Sequence, residues 1–303
     1  MDYYKVKELH NGIYSIHEPA EVFCYLLVGE KSALLYDTTF GLGDLAGTVR
    51  GITDLPLEVV LSHGHYDHGN GATQFEGAYI HPRDEVLCLK HSSRTGRRAA
   101  LEKWVQKAPE NLNREAYIHA GSGELTHVEI GQVFDLGGMT VEVVALEGHT
   151  AGSVGLLVRE RRILLASDAL GPHIWMFLEE SLSMKEYINM LTRIQGLPFD
   201  TFYIGHSDIP RPISEIELYK TVALNADAEK SEEYYHYKEL GPLLYQEGDV
   251  GIVFNPKNMG RPCENVAECP CPRTECPRYK KCCVCIKSHR ERDYLPYCVR
   301  PKE

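Results

Sequence analysis

The stretch LSHGHYDHGNG places three histidines and an aspartate within six residues. Alternate residues of an extended segment point to the same face, so His63 and His65 can share one ion at the end of the strand predicted just before them. A turn after His65 would direct Asp67 and His68 to a different side. Imidazole and carboxylate groups suit zinc or another first-row metal. One short loop could therefore serve two adjacent ions.

Four ligands do not complete two metal sites, so more histidines or aspartates are required elsewhere in the chain. Further candidates stand just after other predicted strands, the usual place for a site that several loops build on a rigid sheet. They are Asp37 after LLY, His149 in EGHTAGS, Asp168 in LLASDAL and His206 in YIGHSD.

The elements that must position these residues are strands and helices in alternation. Apolar runs predict two strands around the turn GEKS in FCYLLVGEKSALLYDTTFG, and further strands in PLEVVLS, MTVEVVALEGHTAGS and DTFYIGHSD. The runs VGLLV and RILLASDAL predict a hairpin. A capping-box pattern from Ser183 to Glu186 and a stop signal at Gly196 bound one amphipathic helix, and a second helix is predicted after Pro212. The aromatic segment EEYYHYKEL around Tyr234 also indicates an amphipathic, structural helix. A two-layer β core with helices outside fits this order.

Taken together, LLYDTT, HGHYDH, EGHTAGS, LLASDAL and YIGHSD resemble the five ordered motifs of the metallo-β-lactamase-fold hydrolases. The resemblance covers roughly residues 10 to 225. It implies an α/β fold, namely a four-layer αββα sandwich with the metals at one edge of the two sheets.

Carried over to this sequence, the family pattern implies two ligand sets. One metal would be held by His63, His65 and His149. The other would be held by Asp67, His68 and His206. Asp168 would bridge the two ions, and Asp37 would fix the ligand loop without binding metal.

The expected function is that of a dinuclear metal-dependent hydrolase, with Asp67 and Asp168 as catalytic groups. In sites of this kind two ions about 3.5–4 Å apart hold a bridging water whose pKa falls towards roughly 7. The resulting metal-bridging hydroxide could attack an ester, thioester, lactone or related small-molecule substrate. Zinc is the expected metal, with iron and manganese as alternatives.

Departures from the family pattern disfavour some of the family's reactions but do not identify the substrate. Several true β-lactamases carry cysteine or serine in place of Asp168, which disfavours antibiotic hydrolysis. Di-iron members that reduce oxygen or nitric oxide carry glutamate in place of His65. Glyoxalase-type thioesterases share the Asp168 pattern, but their helical C-terminal domain has no counterpart here.

Residues between the motifs are expected to determine which substrate the site selects. In GPHIWMFLEES, His173 and Trp175 lie a few positions beyond Asp168, and we expect them to line the substrate pocket, with core packing as the alternative for Trp175. A basic stretch earlier in the chain could cover an anionic substrate or form a solvated helix face. Its charged residues are Lys90, Arg94, Arg97 and Arg98.

The amino-acid composition limits which binding partners and which cellular compartment are expected for this chain. The 303 residues carry a formal net charge of −11, which argues against nucleic acid as the main partner. The N-terminus has no basic leader followed by an apolar core, and no run approaches the roughly 18 apolar residues of a membrane span. A cytoplasmic protein without a membrane anchor is expected.

Cysteine content divides the chain, because eight of the ten cysteines follow residue 260. We predict a hydrolase domain over 1–254 and a cysteine-rich tail over 255–303, which resembles small cysteine-rich modules of unknown function. Without a secretion signal, metal binding is favoured over disulfides, and reduced free thiols are the alternative. The tail would hold additional zinc or an iron–sulfur cluster through Cys269, Cys271, Cys276, Cys282, Cys283, Cys285, His289 and Cys298.

Two functions remain open from the sequence. In the first, the chain is a hydrolase whose tail is structural or mediates contact with a partner protein or self-association. In the second, iron fills the main site and the tail transfers electrons or senses metal, which makes the chain a redox or metal-responsive protein.

Overall fold

Seven strands form the first sheet of the computed structural model, which describes residues 3–235 and 241–256. The first four strands pair antiparallel and the last three continue the sheet in parallel. In spatial order they are β1 (Lys5–His10), β2 (Ile13–Glu18), β3 (Val22–Val28), β4 (Ala33–Tyr36), β5 (Leu57–Val60), β6 (Ala78–Ile80) and β7 (Leu125–His127).

Six strands form the second sheet, in the spatial order β14-β13-β11-β10-β9-β8. The predicted hairpin is present as the antiparallel pair β10–β11, and β11 pairs in parallel with β13. The strands are β8 (Val133–Asp135), β9 (Thr140–Ala145), β10 (Val154–Val158), β11 (Ile163–Ser167), β13 (Thr201–Ile204) and β14 (Ser207–Pro212).

The main core lies between these sheets and includes Tyr36 and Val60 from the first, and Val143 and Leu156 from the second. Every residue of β10 and β11 is buried, which means that both faces of these strands are covered. The long apolar runs of the sequence therefore reflect strands in the middle of a sandwich.

Helices cover the outer faces. Leu45 and Val49 of one helix pack against the first sheet, and Tyr219 of another meets Phe202 of β13 with ring centroids 6.1 Å apart. The mixed α/β sandwich expected from the sequence is confirmed. The helices are α1 (Leu45–Arg50), α2 (Tyr66–Gly69), α3 (Glu85–His91), α4 (Arg94–Trp104), α5 (Arg114–His119), α6 (Met184–Ile194) and α7 (Glu215–Asn225), with 3₁₀ turns at Asn70–Gln74, Arg159–Arg161 and Ala228–Lys230.

Both long predicted helices are confirmed. The capping box between Ser183 and Glu186 is formed at the start of α6. The described part of the chain contains no helix that is both long and apolar enough to cross a membrane.

A third, four-stranded sheet was not predicted. It has the spatial order β12-β17-β16-β15. The helix predicted around Tyr234 is wrong at its start, because Glu232 and Glu233 instead pair with Leu244 and Leu243. The strands are β12 (His173–Met176), β15 (Glu232–Glu233), β16 (Leu243–Glu247) and β17 (Val250–Phe254).

The proposed tail ligands fall outside the described residues, and so does the rest of that segment beyond Pro256. The cysteine-rich metal module and the domain division at residue 254 therefore stay predictions. They concern Cys269, Cys271, Cys276, Cys282, Cys283, Cys285, His289 and Cys298.

Glu18, at the end of β2, is a fully buried carboxyl group that holds the loop after β4. It accepts hydrogen bonds from the backbone N–H groups of Phe40 and Leu42, at 2.9 and 2.8 Å, and from the Tyr4 hydroxyl at 3.2 Å. Burial raises its pKa from 4.5 to about 7 despite these bonds.

This raised pKa predicts a pH-dependent stability. The folded state binds the Glu18 proton more tightly, so its contribution is fully present below pH 4.5 and is lost as the pH rises through about 7. Relative to Glu18→Gln, the parent should lose about 3 kcal/mol of unfolding free energy over that window. Denaturant titrations of both proteins at several pH values measure this difference, and parallel pH profiles would refute it.

Candidate metal centre

Five strand ends meet at one edge of the sandwich and bring the predicted ligands together. Asp37 follows β4, the HGHYDH segment follows β5, and α2 begins at Tyr66 as the predicted turn requires. The other three candidates follow β9, β11 and β13. They are His149, Asp168 and His206.

The first group contains His63, His65 and His149, and all three side chains are buried. The Nδ1 atom of His65 lies 3.0 Å from Nε2 of His63 and 3.1 Å from Nε2 of His149. Three imidazole nitrogens thus face one point, as the family pattern implied.

The second group contains Asp67, His68 and His206, whose ligand atoms lie within 4.8 Å of one another. Asp168 lies between the two groups. Its Oδ2 atom is 3.4 Å from Nε2 of His68, 3.3 Å from Nε2 of His206 and 3.9 Å from Nε2 of His149. This is the position that a bridging carboxylate would need.

The ring nitrogens that face away from the centre are held by hydrogen bonds. Nδ1 of His149 donates to the backbone carbonyl of Trp175 at 2.8 Å, and Nδ1 of His206 donates to that of Glu21 at 2.8 Å. Nε2 of His65 donates to the carboxylate of Glu180 at 2.8 Å. Each bond fixes the ring orientation and leaves the lone pair of the inner nitrogen directed at the centre.

Asp37 holds the other two histidines of the site, His68 directly and His63 through Ser62. Its carboxylate accepts from Nδ1 of His68 at 2.9 Å, and from the hydroxyls of Ser62 at 2.9 Å and Ser167 at 2.8 Å. The Ser62 oxygen in turn lies 2.7 Å from Nδ1 of His63. Asp37 and Ser167 both adopt left-handed backbone conformations, with φ of 65° and 46°, which are strained for non-glycine residues.

Electrostatics distinguish the two groups. Burial lowers the pKa of His63 well below its usual value and that of His149 to about 4. Burial lowers the pKa of His68 and His206 too, but the nearby carboxylates together outweigh it. Asp168 contributes most to this, and the pKa of His68 stays well above its usual value while that of His206 rises to about 9. His63 and His149 therefore present neutral imidazoles, the form that binds metal, and carboxylates favour positive charge at the second group.

The donor set fits divalent cations. Lone pairs of three imidazoles within about 3 Å repel one another unless a cation lies among them. Within the described residues, His68 Nε2 and Asp168 Oδ1 are also buried without a hydrogen-bond partner, which typically costs about 1–3 kcal/mol per group. Two cations would satisfy these atoms.

Asp84 ties the two ligand loops together and was not singled out from the sequence. Its buried carboxylate accepts from the Gly64 N–H at 2.9 Å, the Thr150 hydroxyl at 2.6 Å and the Gly152 N–H at 2.6 Å. Gly64 separates two ligands of the first group, and Thr150 follows the third. A lone aspartate in HPRDEV carries no local signal for such a role.

A cavity of about 710 Å³ opens onto the ligand groups. Its lining includes both predicted pocket residues, His173 and Trp175, together with Tyr234, which sequence reasoning had assigned to structure. Sequence reasoning also missed Glu180, Phe40, Tyr66, His91, Lys103 and Trp104, which line the same cavity.

The four basic residues considered for a lid are absent from this lining. Arg97 is buried, and its guanidinium donates to the backbone carbonyls of Asn70, Tyr117 and Gly121. The other three are exposed on the helices α3 and α4. They are Lys90, Arg94 and Arg98.

Gly205 has no Cβ atom and so leaves space for the side chains of Asp168 and His68. A Cβ atom there would collide with Oδ1 of Asp168 and would lie 2.7 Å from Cε1 of His68. We expect Gly205→Ala to fold but to displace these side chains and weaken metal affinity roughly 10–100-fold, the range seen when groups around metal ligands are disturbed.

Metal titration monitored by calorimetry, with circular dichroism as the fold check, measures this effect. Gly196→Ala is the matched control, because its Cβ would meet only Arg193 O at 3.5 Å. Equal metal affinity in the two variants would contradict the prediction.

Several known proteins are similar to this chain in sequence. The acyl-coenzyme A thioesterase MBLAC2 of Gallus gallus is 24% identical over 185 residues, which is 56% of this chain and 67% of that protein. The probable polyketide biosynthesis zinc-dependent hydrolase BaeB of Bacillus velezensis is 21% identical over 236 residues, covering 76% of this chain and 92% of that protein.

Among solved structures, the inverting sec-alkylsulfatase Pisa1 from Pseudomonas sp. superimposes with a TM-score of 0.55 at 12% identity. The match covers 73% of this chain and 41% of that one, and it supports the fold alone. The family model of the metallo-beta-lactamase superfamily matches residues 17–206, which include all seven predicted ligands. The chain therefore belongs to the metallo-beta-lactamase superfamily.

Proposed function

We propose that this chain is a dinuclear metal-dependent hydrolase that acts on carboxylic esters or thioesters. The observation that carries the proposal is the convergence of seven ligand side chains into two adjacent groups with a carboxylate between them. One tetrahedral ion cannot use seven ligands, so two ions are the better fit.

The two metals would be held by the groups described above. His63, His65 and His149 would hold one, and Asp67, His68 and His206 would hold the other. Asp168 would bridge them. When bound, such ions polarise a substrate carbonyl oxygen and acidify water at neutral pH.

The protein's own contribution is to hold the ligand rings in fixed orientations. Asp37 holds the ring of His68, and Glu180 holds that of His65, so each ring keeps one tautomer. The cavity opens onto the ligand groups, so a substrate carbonyl would reach the metals through it.

The cavity walls favour an apolar acyl group. On one side, Phe40 stacks on Tyr66 with centroids 5.5 Å apart and contacts Trp104 at 5.7 Å. On the other, Trp175 and Tyr234 lie 6.2 Å apart. Aromatic walls of this kind bury hydrocarbon well. The MBLAC2 and BaeB relatives, a thioesterase and a zinc-dependent hydrolase, support the same class of reaction.

The test is hydrolysis by the zinc-loaded full-length chain of three substrate classes: acyl thioesters, activated aryl esters and single-stranded RNA. Thioesters or esters should be turned over, and a metal-free sample should be inactive. RNA should be a poor substrate because the acidic chain repels a polyanion. Faster turnover of RNA than of either ester class, or no turnover of any, would overturn the proposal.

Freshly purified protein, before any metal is added, separates the redox alternative. A colourless, zinc-containing protein with esterase activity supports the hydrolase, whereas a brown protein with iron and labile sulfide supports the iron-containing redox or metal-responsive function.

A further inference from the structure

His91, the last residue of α3, lies beside the ligand groups without belonging to either. Its ring stacks on that of His65, with centroids 5.1 Å apart and planes 17° apart, and on that of Tyr66, at 5.2 Å and 25°. It also lines the cavity. The ring therefore packs on a proposed ligand and also borders the space in which substrate would bind.

One hydrogen bond sets the protonation of this ring. The backbone N–H of Tyr66 donates to Nδ1 of His91 at 3.2 Å. Because a backbone amide can only donate, Nδ1 must carry its lone pair, and the single proton of the neutral imidazole must be on Nε2.

The Nε2–H group has no hydrogen-bond partner within residues 3–235 and 241–256. Neither the stacking nor the hydrogen bond from Tyr66 requires this Nε2–H group on a residue that lines the cavity. A neutral donor fixed to the ligand loop is instead what a developing negative charge on a substrate oxygen requires.

We propose that His91 is a further catalytic residue of this site, whose neutral Nε2–H donates a hydrogen bond to the substrate acyl oxygen as the carbonyl is attacked. The proposal rests on the proposed hydrolysis of esters or thioesters. No proton leaves the ring. The donor is preorganised, because the backbone of Tyr66 and the face of His65 fix the ring before substrate arrives.

The experiment compares three variants of the full-length, zinc-loaded chain. His91→Phe keeps a stacking ring but removes the donor, and His91→Gln keeps a side-chain N–H donor. His119→Phe is the matched control, since His119 lies exposed at the end of α5. Metal content, kcat and KM are measured with an acyl thioester.

We expect His91→Phe to retain the metal content of the parent and to lose about 10²–10³ in kcat, the effect of removing one oxyanion donor. His91→Gln should recover part of that loss, and His119→Phe should match the parent. A kcat of His91→Phe within about threefold of the parent, equal losses in the Phe and Gln variants, or loss of metal along with activity would overturn the assignment.

The protonation can also be measured in the unmodified protein, so the proposal survives a variant that fails to fold. Nitrogen-15 NMR of the imidazoles should show His91 neutral with its proton on Nε2, and a proton on Nδ1 would refute the donor. If the parent hydrolyses neither esters nor thioesters, the proposed function fails first. If the parent is active and His91→Phe is equally active, the His91 proposal alone fails.

Discussion

Replacing Asp168 with alanine is expected to remove metal and activity together. Its Oδ2 atom lies 3.3–3.9 Å from ring nitrogens of three proposed ligands in both groups, and its Oδ1 atom is buried without a described hydrogen-bond partner. Loss of the carboxylate would leave the imidazoles of His68 and His206 without the charge that contributes most to raising their pKa.

Asp37→Ala provides the comparison, because Asp37 acts through Ser62, Ser167 and His68. It should weaken metal affinity and activity roughly 10–100-fold, and Asp168→Ala should exceed that range. Elemental analysis and ester hydrolysis of both purified variants give the two quantities. Parent-level activity in Asp168→Ala would refute the bridging role.

The second large effect is expected at Asp84. Alanine there would leave the Gly64 N–H, the Thr150 hydroxyl and the Gly152 N–H without their buried, charged acceptor. Each buried donor left without a partner typically costs about 1–3 kcal/mol, and three donors are affected here. Because the same bonds fix the loops on both sides of the first ligand group, metal affinity should also fall roughly 10–100-fold.

Glu85→Ala is the matched control, since the neighbouring carboxylate is partly exposed and hydrogen-bonds only to His127 among the described residues. Denaturant unfolding and metal titration of both variants test the prediction. If Asp84→Ala lost no more stability than Glu85→Ala, the carboxylate would not be holding the loops.

Much of the metal centre could be predicted because its ligands lie in short segments whose local pattern can be recognised in the sequence. His63 and His65 alternate on extended backbone. Asp168 directly follows one apolar strand, and His206 lies two residues beyond the end of another. Parallel strands such as β11 and β13 end at the same edge of a sheet, so residues just beyond them meet in space.

The supporting groups could not be predicted in the same way. Asp84 reaches Thr150 across 66 residues and Glu180 reaches His65 across 115, and a single carboxylate gives no periodic or spacing signal. Glu18 was missed for the same reason, since its partners lie in another loop.

The third sheet shows how tertiary pairing overrides local pattern. The segment around Tyr234 has helical spacing of aromatic residues, but β16 offers an open edge that Glu232 and Glu233 join. The consequence is functional, because β12 of this sheet supplies the carbonyl of Trp175 that holds His149.

The central claim is that two metal ions occupy these groups side by side. Anomalous diffraction from crystals of the full-length chain, grown after saturation with zinc, tests it most directly. Two peaks are predicted, one among His63, His65 and His149, and one among Asp67, His68 and His206, with Asp168 between them. A single peak at this centre after saturation, or none, would contradict the account.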